Sequence, residues 1–217
     1  MSSAIVLLSG GLDSFVALDI SIKKFNSVST IFFDYGQKAY EEEKKAVENI
    51  IKKYSLKNHE IKLPFLKDIT SNSLILEDKN EFNDLKSVWI PNRNGLFLNI
   101  AASYCDSFGY DFIVFGANKD ESTSFSDNRQ GFVEVINECF KYSTLQKPKV
   151  FAPCVEMNKT DLVNYIIDNN LDIKLIKSCY QNIKTTNKKH CGKCMSCKFL
   201  YDAILNSKKP ELIKEIF

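Results

Sequence analysis

The chain reads as an α/β protein built on a twisted parallel sheet with helices on both faces. Three observations predict that class. Short apolar runs alternate with longer stretches of helical periodicity along the 217 residues. The first run, Ala4-Ile5-Val6-Leu7-Leu8, passes straight into the turn Ser9-Gly10-Gly11-Leu12-Asp13-Ser14 and then into a helical pattern, Phe15-Val16-Ala17-Leu18-Asp19-Ile20. A 44% apolar and 12% aromatic content can bury a full core. Strand and helix in alternation imply right-handed crossovers, and such a sheet takes its ligand at the carboxyl edge.

Taken in order, the expected strands are residues 4–8, 28–33, 60–63, 111–115 and 150–151. Helical stretches are expected between them at 14–25, 38–54, 94–108, 130–143 and 159–169. Residues 67–92 are polar and weakly periodic, which suits a long functional loop or an insertion rather than a linker. The chain is expected to divide into a nucleotide-type domain over 1–170 and a metal-binding segment over 171–217 packed on it.

Composition removes several classes. The N-terminus lacks the basic residues of a signal peptide, and no apolar run approaches the roughly 18 residues of a membrane span. Seven cysteines, four of them clustered late, argue for a reducing compartment and metal ligation, hence a cytoplasmic protein. The net charge of +2 is unevenly spread: from Lys147 onward thirteen lysines face seven acids. Part of that excess offsets thiolate charge and the rest suits a solvated basic face, so direct binding of nucleic acid is not expected.

The glycine-rich turn carries the chemistry. Two glycines let the backbone turn sharply and approach an anion closely. Ser9 and Ser14 add hydroxyls, and the helix that follows brings unpaired N–H groups and the positive end of its dipole. Asp13 would repel a bare phosphate, so it reads as an N-cap, a magnesium contact, or both. The eight glycines allow neither GxxxxGK[ST] nor GxGxxG, which removes kinase-like and dinucleotide-binding readings.

The hexapeptide resembles the pyrophosphate-binding loop of the ATP pyrophosphatases, the PP-loop fold of the adenine nucleotide alpha hydrolase type. Further segments narrow the resemblance. Phe33-Asp34-Tyr35-Gly36-Gln37 ends the second strand, with Glu42 on the next helix. Ile90-Pro91-Asn92-Arg93-Asn94, Gly116-Ala117-Asn118, Asp127 with Arg129, and Asn158-Lys159 follow in that order. With the late cysteines, the stretch from about residue 4 to residue 202 is similar to the 7-cyano-7-deazaguanine synthase family.

That resemblance implies a reaction. A carboxylate oxygen of 7-carboxy-7-deazaguanine is adenylated by ATP, ammonia displaces AMP to give an amide, and a second adenylation with loss of AMP gives the nitrile. Ser9, Asp13, Ser14, Lys159 and Arg93 are the expected catalytic residues, with Leu8, Ser9, Gly10, Gly11, Leu12, Asp13, Ser14, Phe15 and Asp34 holding ATP and Mg2+. Tyr35, Gln37, Arg93, Asn94, Phe125, Asp127 and Arg129 are expected around the small-molecule substrate. The resemblance also implies a homodimer. Departures from the family pattern cluster away from the loop: Lys38-Ala39 for Arg-His, Glu121 for Asp, Phe125-Ser126-Asp127-Asn128-Arg129 for Tyr-Pro-Asp-Cys-Arg, Asn182 for Gly and Leu200 for Arg.

Cys191, Cys194 and Cys197 form CxxCxxC, with Cys179 upstream. Thiolates two residues apart across a turn grip one tetrahedral ion, and all-sulfur ligation favours Zn2+, with an iron–sulfur cluster as the competing centre. A closed shell leaves no position for water, so the zinc would be structural. The two histidines, His59 and His190, are too few and too badly placed for a serine triad, a His-based metalloprotease or a zinc deaminase. Three other functions fit the same residues: a paralogue coupling the adenylated acid to another amine on a protein or nucleic acid, a tRNA sulfur transferase using Cys105, Cys139 or Cys154, and an ATP-sensing module.

Overall fold

A computed structural model describes residues 2–70, 72–75, 87–183 and 190–217. Of the polar stretch 67–92, residues 71 and 76–86 therefore lie outside the described residues.

Among the described residues five strands, β1 (Ser3–Leu7), β2 (Ser27–Asp34), β3 (Lys57–Lys62), β4 (Phe112–Val114) and β5 (Lys149–Phe151), form one sheet in the order β3-β2-β1-β4-β5. Every neighbouring pair is parallel. The chain lays β2 and β3 on one side of β1, then crosses back to lay β4 and β5 on the other. The crevice between the ends of β1 and β4 is thus the point where the winding reverses, the place such a sheet offers a ligand.

The helices are α1 (Leu12–Lys24), α2 (Tyr40–Tyr54), α3 (Phe65–Asp68), α4 (Arg93–Phe108), α5 (Lys119–Ser122), α6 (Gln130–Ser143), α7 (Lys159–Asp168), α8 (Met195–Leu205) and α9 (Ile213–Ile216). Side chains alternate across a strand, so β1 feeds two cores. Ala4 and Val6 pack with α1, α2, α7 and α8, while Ile5 faces α4 and α6 with Phe33 and Ile113. Leu200, Ala203 and Ile204 of α8 share the first core with Phe15 and Leu18 of α1. All five expected strands and all five expected helices are present. The largest shift is β3, which starts at Lys57 rather than residue 60. It is an edge strand whose first residues, Lys57-Asn58, are polar, so only its apolar end signals a strand. Among the described residues no helix is long and apolar enough to cross a membrane.

Candidate nucleotide site and metal centre

The loop between β1 and α1 is folded on its own hydroxyls. The Ser9 and Ser14 hydroxyls lie 3.1 Å apart, Ser9 N–H donates to Ser14 Oγ at 3.3 Å, and Ser14 Oγ donates to the Gly11 carbonyl at 3.1 Å. Gly10 holds φ +80°, and a Cβ there would meet Ala46 Cβ at 2.9 Å, so α2 packs against the loop as only glycine allows. Gly116, at the end of β4, approaches from the other side: a Cβ on it would lie 2.8 Å from the Asp13 carbonyl carbon and Ser14 nitrogen. The loop is thus clamped between two elements.

Asp13 does not cap α1. The N-cap is Gly11, without a side-chain hydrogen bond, and Asp13 falls in the first turn. Its carboxylate instead turns into the crevice, where Lys159 Nζ donates to both oxygens at 2.9 and 2.7 Å and Asn118 Nδ2 donates to Oδ1 at 3.1 Å. The same Lys159 ammonium donates to Glu121 Oε1 at 2.8 Å. Asn118 caps α5 by accepting from Glu121 N–H at 3.0 Å, and Asn158 caps α7 in a reciprocal capping box with Asp161. Two capped helices thus deliver one cation and one carboxylate to the loop. Burial pushes the Asp13 carboxyl up, and the Lys159 ammonium only partly offsets it. Burial also acts against the charged form of Lys159, but Asp13 and Glu121 outweigh it and hold the ammonium above its usual range. For Glu121 burial acts upward, yet Lys159 prevails and the carboxyl sits below its ordinary value.

These groups line a cavity of about 550 Å³ at the carboxyl edge of the sheet. Leu8, Ser9, Gly11, Asp13, Ser14, Tyr35, Gln37, Arg93, Asn94, Phe125, Asp127 and Lys159 all line it. Arg93 Nη1 donates to the Tyr35 hydroxyl at 3.3 Å, and burial raises that phenol to about 12, so it stays protonated at neutral pH. Gln37 is committed to its own turn, accepting from Tyr35 N–H at 2.9 Å and donating to the Phe33 carbonyl and Glu43 Oε2 at 3.0 Å each. Phe125 stacks on Trp89, with ring centroids 5.7 Å apart and an interplanar angle of 13°. Burial raises the Asp127 carboxyl, against the lowering effect of Arg93.

Five expected residues lie outside the cavity lining. Gly10 supports the loop from behind, and Leu12 and Phe15 are buried in the α1 core. Asp34 Oδ1 accepts from Gly36 N–H at 3.1 Å and so closes its own turn. Arg129 points back along the surface, where Nε donates to the Ser122 carbonyl at 2.8 Å.

Other lining residues escaped the motif reading. Glu43, not Glu42, faces the cavity; Glu42 pairs with Lys45 at 3.1 Å on the outer side of α2. Its position was signalled by the apolar stripe Ala46, Val47 and Ile50, which shares a helix face with residue 43. Lys177, Ser178 and Tyr180 also line the cavity, from a segment with no periodic pattern. Of the cysteines weighed for sulfur transfer, Cys105 and Cys154 are buried, their thiols pushed up to about 12 by burial, and Cys139 is exposed on α6; none of the three lines the cavity.

Beside the cavity the Sγ atoms of Cys179, Cys191, Cys194 and Cys197 all lie within 4.8 Å of one another, with Cys191 and Cys197 at 3.8 Å. Tetrahedral thiolates about 2.3 Å from one ion stand roughly 3.8 Å apart, so the donor set fits a single metal ion. A multi-iron cluster puts iron and sulfide atoms between its thiolates and spreads them further. Backbone N–H groups of Gln181, Lys193 and Cys194 point at Cys179 and Cys191 sulfurs at 3.3 to 3.4 Å, which stabilises thiolate charge.

The 7-cyano-7-deazaguanine synthase of Pelotomaculum thermopropionicum is 41% identical over 208 residues, covering 89% of this chain and 92% of that protein. The enzyme of the same description from Carboxydothermus hydrogenoformans is 38% identical over 209 residues, covering 91% and 95%. Among solved structures, the U34-tRNA thiolase NcsA of Methanococcus maripaludis with its [4Fe-4S] cluster matches with a TM-score of 0.51 at 17% identity, over 99% of this chain and 67% of that one. At that identity the likeness shows the fold alone. The family described as queuosine biosynthesis protein QueC matches residues 3–207, and with relatives at such identity over nearly their whole length, the chain belongs to that family.

Proposed function

We propose that the protein is a ligase that makes 7-cyano-7-deazaguanine from 7-carboxy-7-deazaguanine, ammonia and ATP, as a step of queuosine biosynthesis. The observation that carries this reading is the Lys159 ammonium held against Asp13 of the glycine-rich loop in a cavity large enough for a nucleotide. Ammonia does not displace oxide from a carboxylate, so that oxygen must first become AMP, a competent leaving group. Negative charge then grows on pyrophosphate, and the loop with Lys159 and Arg93 neutralises it where it develops.

The Asp13, Glu121 and Lys159 cluster carries a net charge of −1, and its carboxylates supply the hard oxygen donors that suit Mg2+. Magnesium, when bound, screens the triphosphate against them. The base of the acceptor would lie along Phe125 and Trp89, with Asp127 and Asn94 offering an acceptor and donors to its edge. Zn2+ would be held by the four cysteines with no open position, fastening residues 171–217 to the rest of the chain. We place the protein in the cytoplasm; it would act as a homodimer, and sedimentation of the purified protein would check that oligomeric state.

The test is direct. Protein supplied with ATP, magnesium, ammonium and 7-carboxy-7-deazaguanine should release AMP and pyrophosphate and form a product with the mass of the nitrile. Asp13→Ala and Ser14→Ala should abolish substrate-dependent pyrophosphate release while leaving the fold intact; retained turnover in both would overturn the loop assignment. ATP consumption only with a macromolecular acceptor would overturn the ammonia reading.

A further inference from the structure

We propose that Ser178 is a positioning residue that couples the four-thiolate centre to the phosphate loop, so that metal and ATP each strengthen the binding of the other. The inference rests on the reading of that loop as an ATP site.

Three consecutive residues make the connection. Lys177 N–H donates to the Gly10 carbonyl at 2.7 Å. The Ser178 hydroxyl accepts from Leu12 N–H, the first residue of α1, at 3.3 Å. Cys179 is one of the four clustered sulfurs. From the metal side, Ser178 N–H donates to Nε2 of His190 at 3.1 Å, and His190 is buried and directly precedes Cys191. The peptide 177–179 is therefore gripped by the loop on one side and by the metal-bearing segment on the other.

The loop has nowhere to retreat if that peptide moves. Gly10 already packs on Ala46, at a distance where an added Cβ would collide at 2.9 Å. Residues 177–179 form no helix or strand that could hold them in place alone. Four thiolates closing on one ion fix Cys179 and the segment from Cys191 to Cys197, and through them His190 and Ser178. The Ser178 hydroxyl, holding the Leu12 N–H, then fixes the first turn of α1, the helix end that the triphosphate must approach. Coupling between two bound species is reciprocal, so the factor by which metal tightens ATP must equal the factor by which ATP tightens metal.

The experiment measures both sides on the whole protein. Zinc affinity is read by competition with a chromogenic chelator, with and without ATP, for wild type, Ser178→Ala and Ser178→Thr; KM for ATP and kcat are measured in parallel. In the wild type ATP should tighten zinc about 5- to 10-fold, the size expected for one hydrogen bond. Ser178→Ala should bring that factor towards one and raise KM for ATP by a similar factor with kcat changed less than twofold, and Ser178→Thr should restore both. A wild-type zinc affinity indifferent to bound ATP, or an undiminished factor in Ser178→Ala, would overturn the coupling. A wild type that binds no ATP would instead overturn the reading of the loop itself.

Discussion

Replacing Lys159 by methionine removes the charge and keeps most of the volume, and its effects can be worked from distances. Asp13 and Glu121 oxygens sit 2.7 and 2.8 Å from one nitrogen, so they lie no more than about 5.5 Å apart. Without the ammonium, two carboxylates at that separation repel by roughly 3 kcal/mol at an effective dielectric of about 20. Glu121 is 37% exposed, so water screens part of this and about 2 kcal/mol is expected. For a chain of this size that lowers Tm by about 4 to 8 °C. The sign with pH follows from the protons. With the Lys159 ammonium gone, burial and mutual repulsion raise both carboxyls, so the folded state binds more protons and the penalty grows as pH rises from the ordinary carboxyl range. Glu121 is held below its usual 4.5 in the wild type; there it contributes stability above that value, lost as pH falls through its folded pKa. The variant should thus recover most of its Tm near pH 5. Its kcat should not recover, because in the proposed reaction Lys159 also neutralises the departing pyrophosphate, and a loss of about 10²- to 10³-fold is expected at every pH. Pyrophosphate release and thermal unfolding at pH 5 and pH 8 read both effects. A kcat within threefold of wild type would refute the charge assignment, and a Tm loss equal at both pH values would refute the electrostatic origin.

Other predictions follow from the same geometry. Gly10→Ala must adopt φ +80° and meet Ala46 at 2.9 Å, so urea unfolding should report a loss of about 2 to 4 kcal/mol; a loss below 1 would mean the loop and α2 separate freely. Elemental analysis should find one zinc and no iron per chain, with Cys191→Ser lowering both zinc occupancy and Tm; several irons per chain with acid-labile sulfide would contradict the single-ion reading of the sulfurs. Trp89→Ala removes the stack on Phe125 and should raise KM for the deazapurine acid about 3- to 10-fold with KM for ATP unchanged; a matching rise in both would remove the aromatic pair from the acceptor side.

What the sequence made legible was whatever is local. The SGGLDS turn, the alternating strands and CxxCxxC are short patterns whose geometry their neighbours settle, and each stands in the structure as a unit. Residues whose partners are distant were harder to assign. Asp13 reads as a cap, a magnesium contact or both from its place before a helix; the capping part fails, because Lys159, 146 positions away, holds its carboxylate in the crevice. Glu42 and Glu43 differ by one step of a helix, a rotation of about 100°, which decides between Lys45 on the surface and Gln37 in the cavity. The apolar stripe of α2 contained that answer, whereas nothing periodic marked Lys177 and Ser178, whose positions follow from the four-cysteine segment folding back on the loop. Asp34 and Arg129 show the reverse: polar residues in the right motifs whose side chains serve the turns that carry them.

In the proposed reaction the loop holds a leaving pyrophosphate while a carboxylate oxygen becomes the oxygen of AMP. Turnover of 7-carboxy-7-deazaguanine labelled with 18O in both carboxylate oxygens measures this most directly. Each nitrile formed should be accompanied by two AMP, each carrying one 18O, with pyrophosphate unlabelled. Unlabelled AMP, or label in inorganic phosphate with ADP as coproduct, would contradict it.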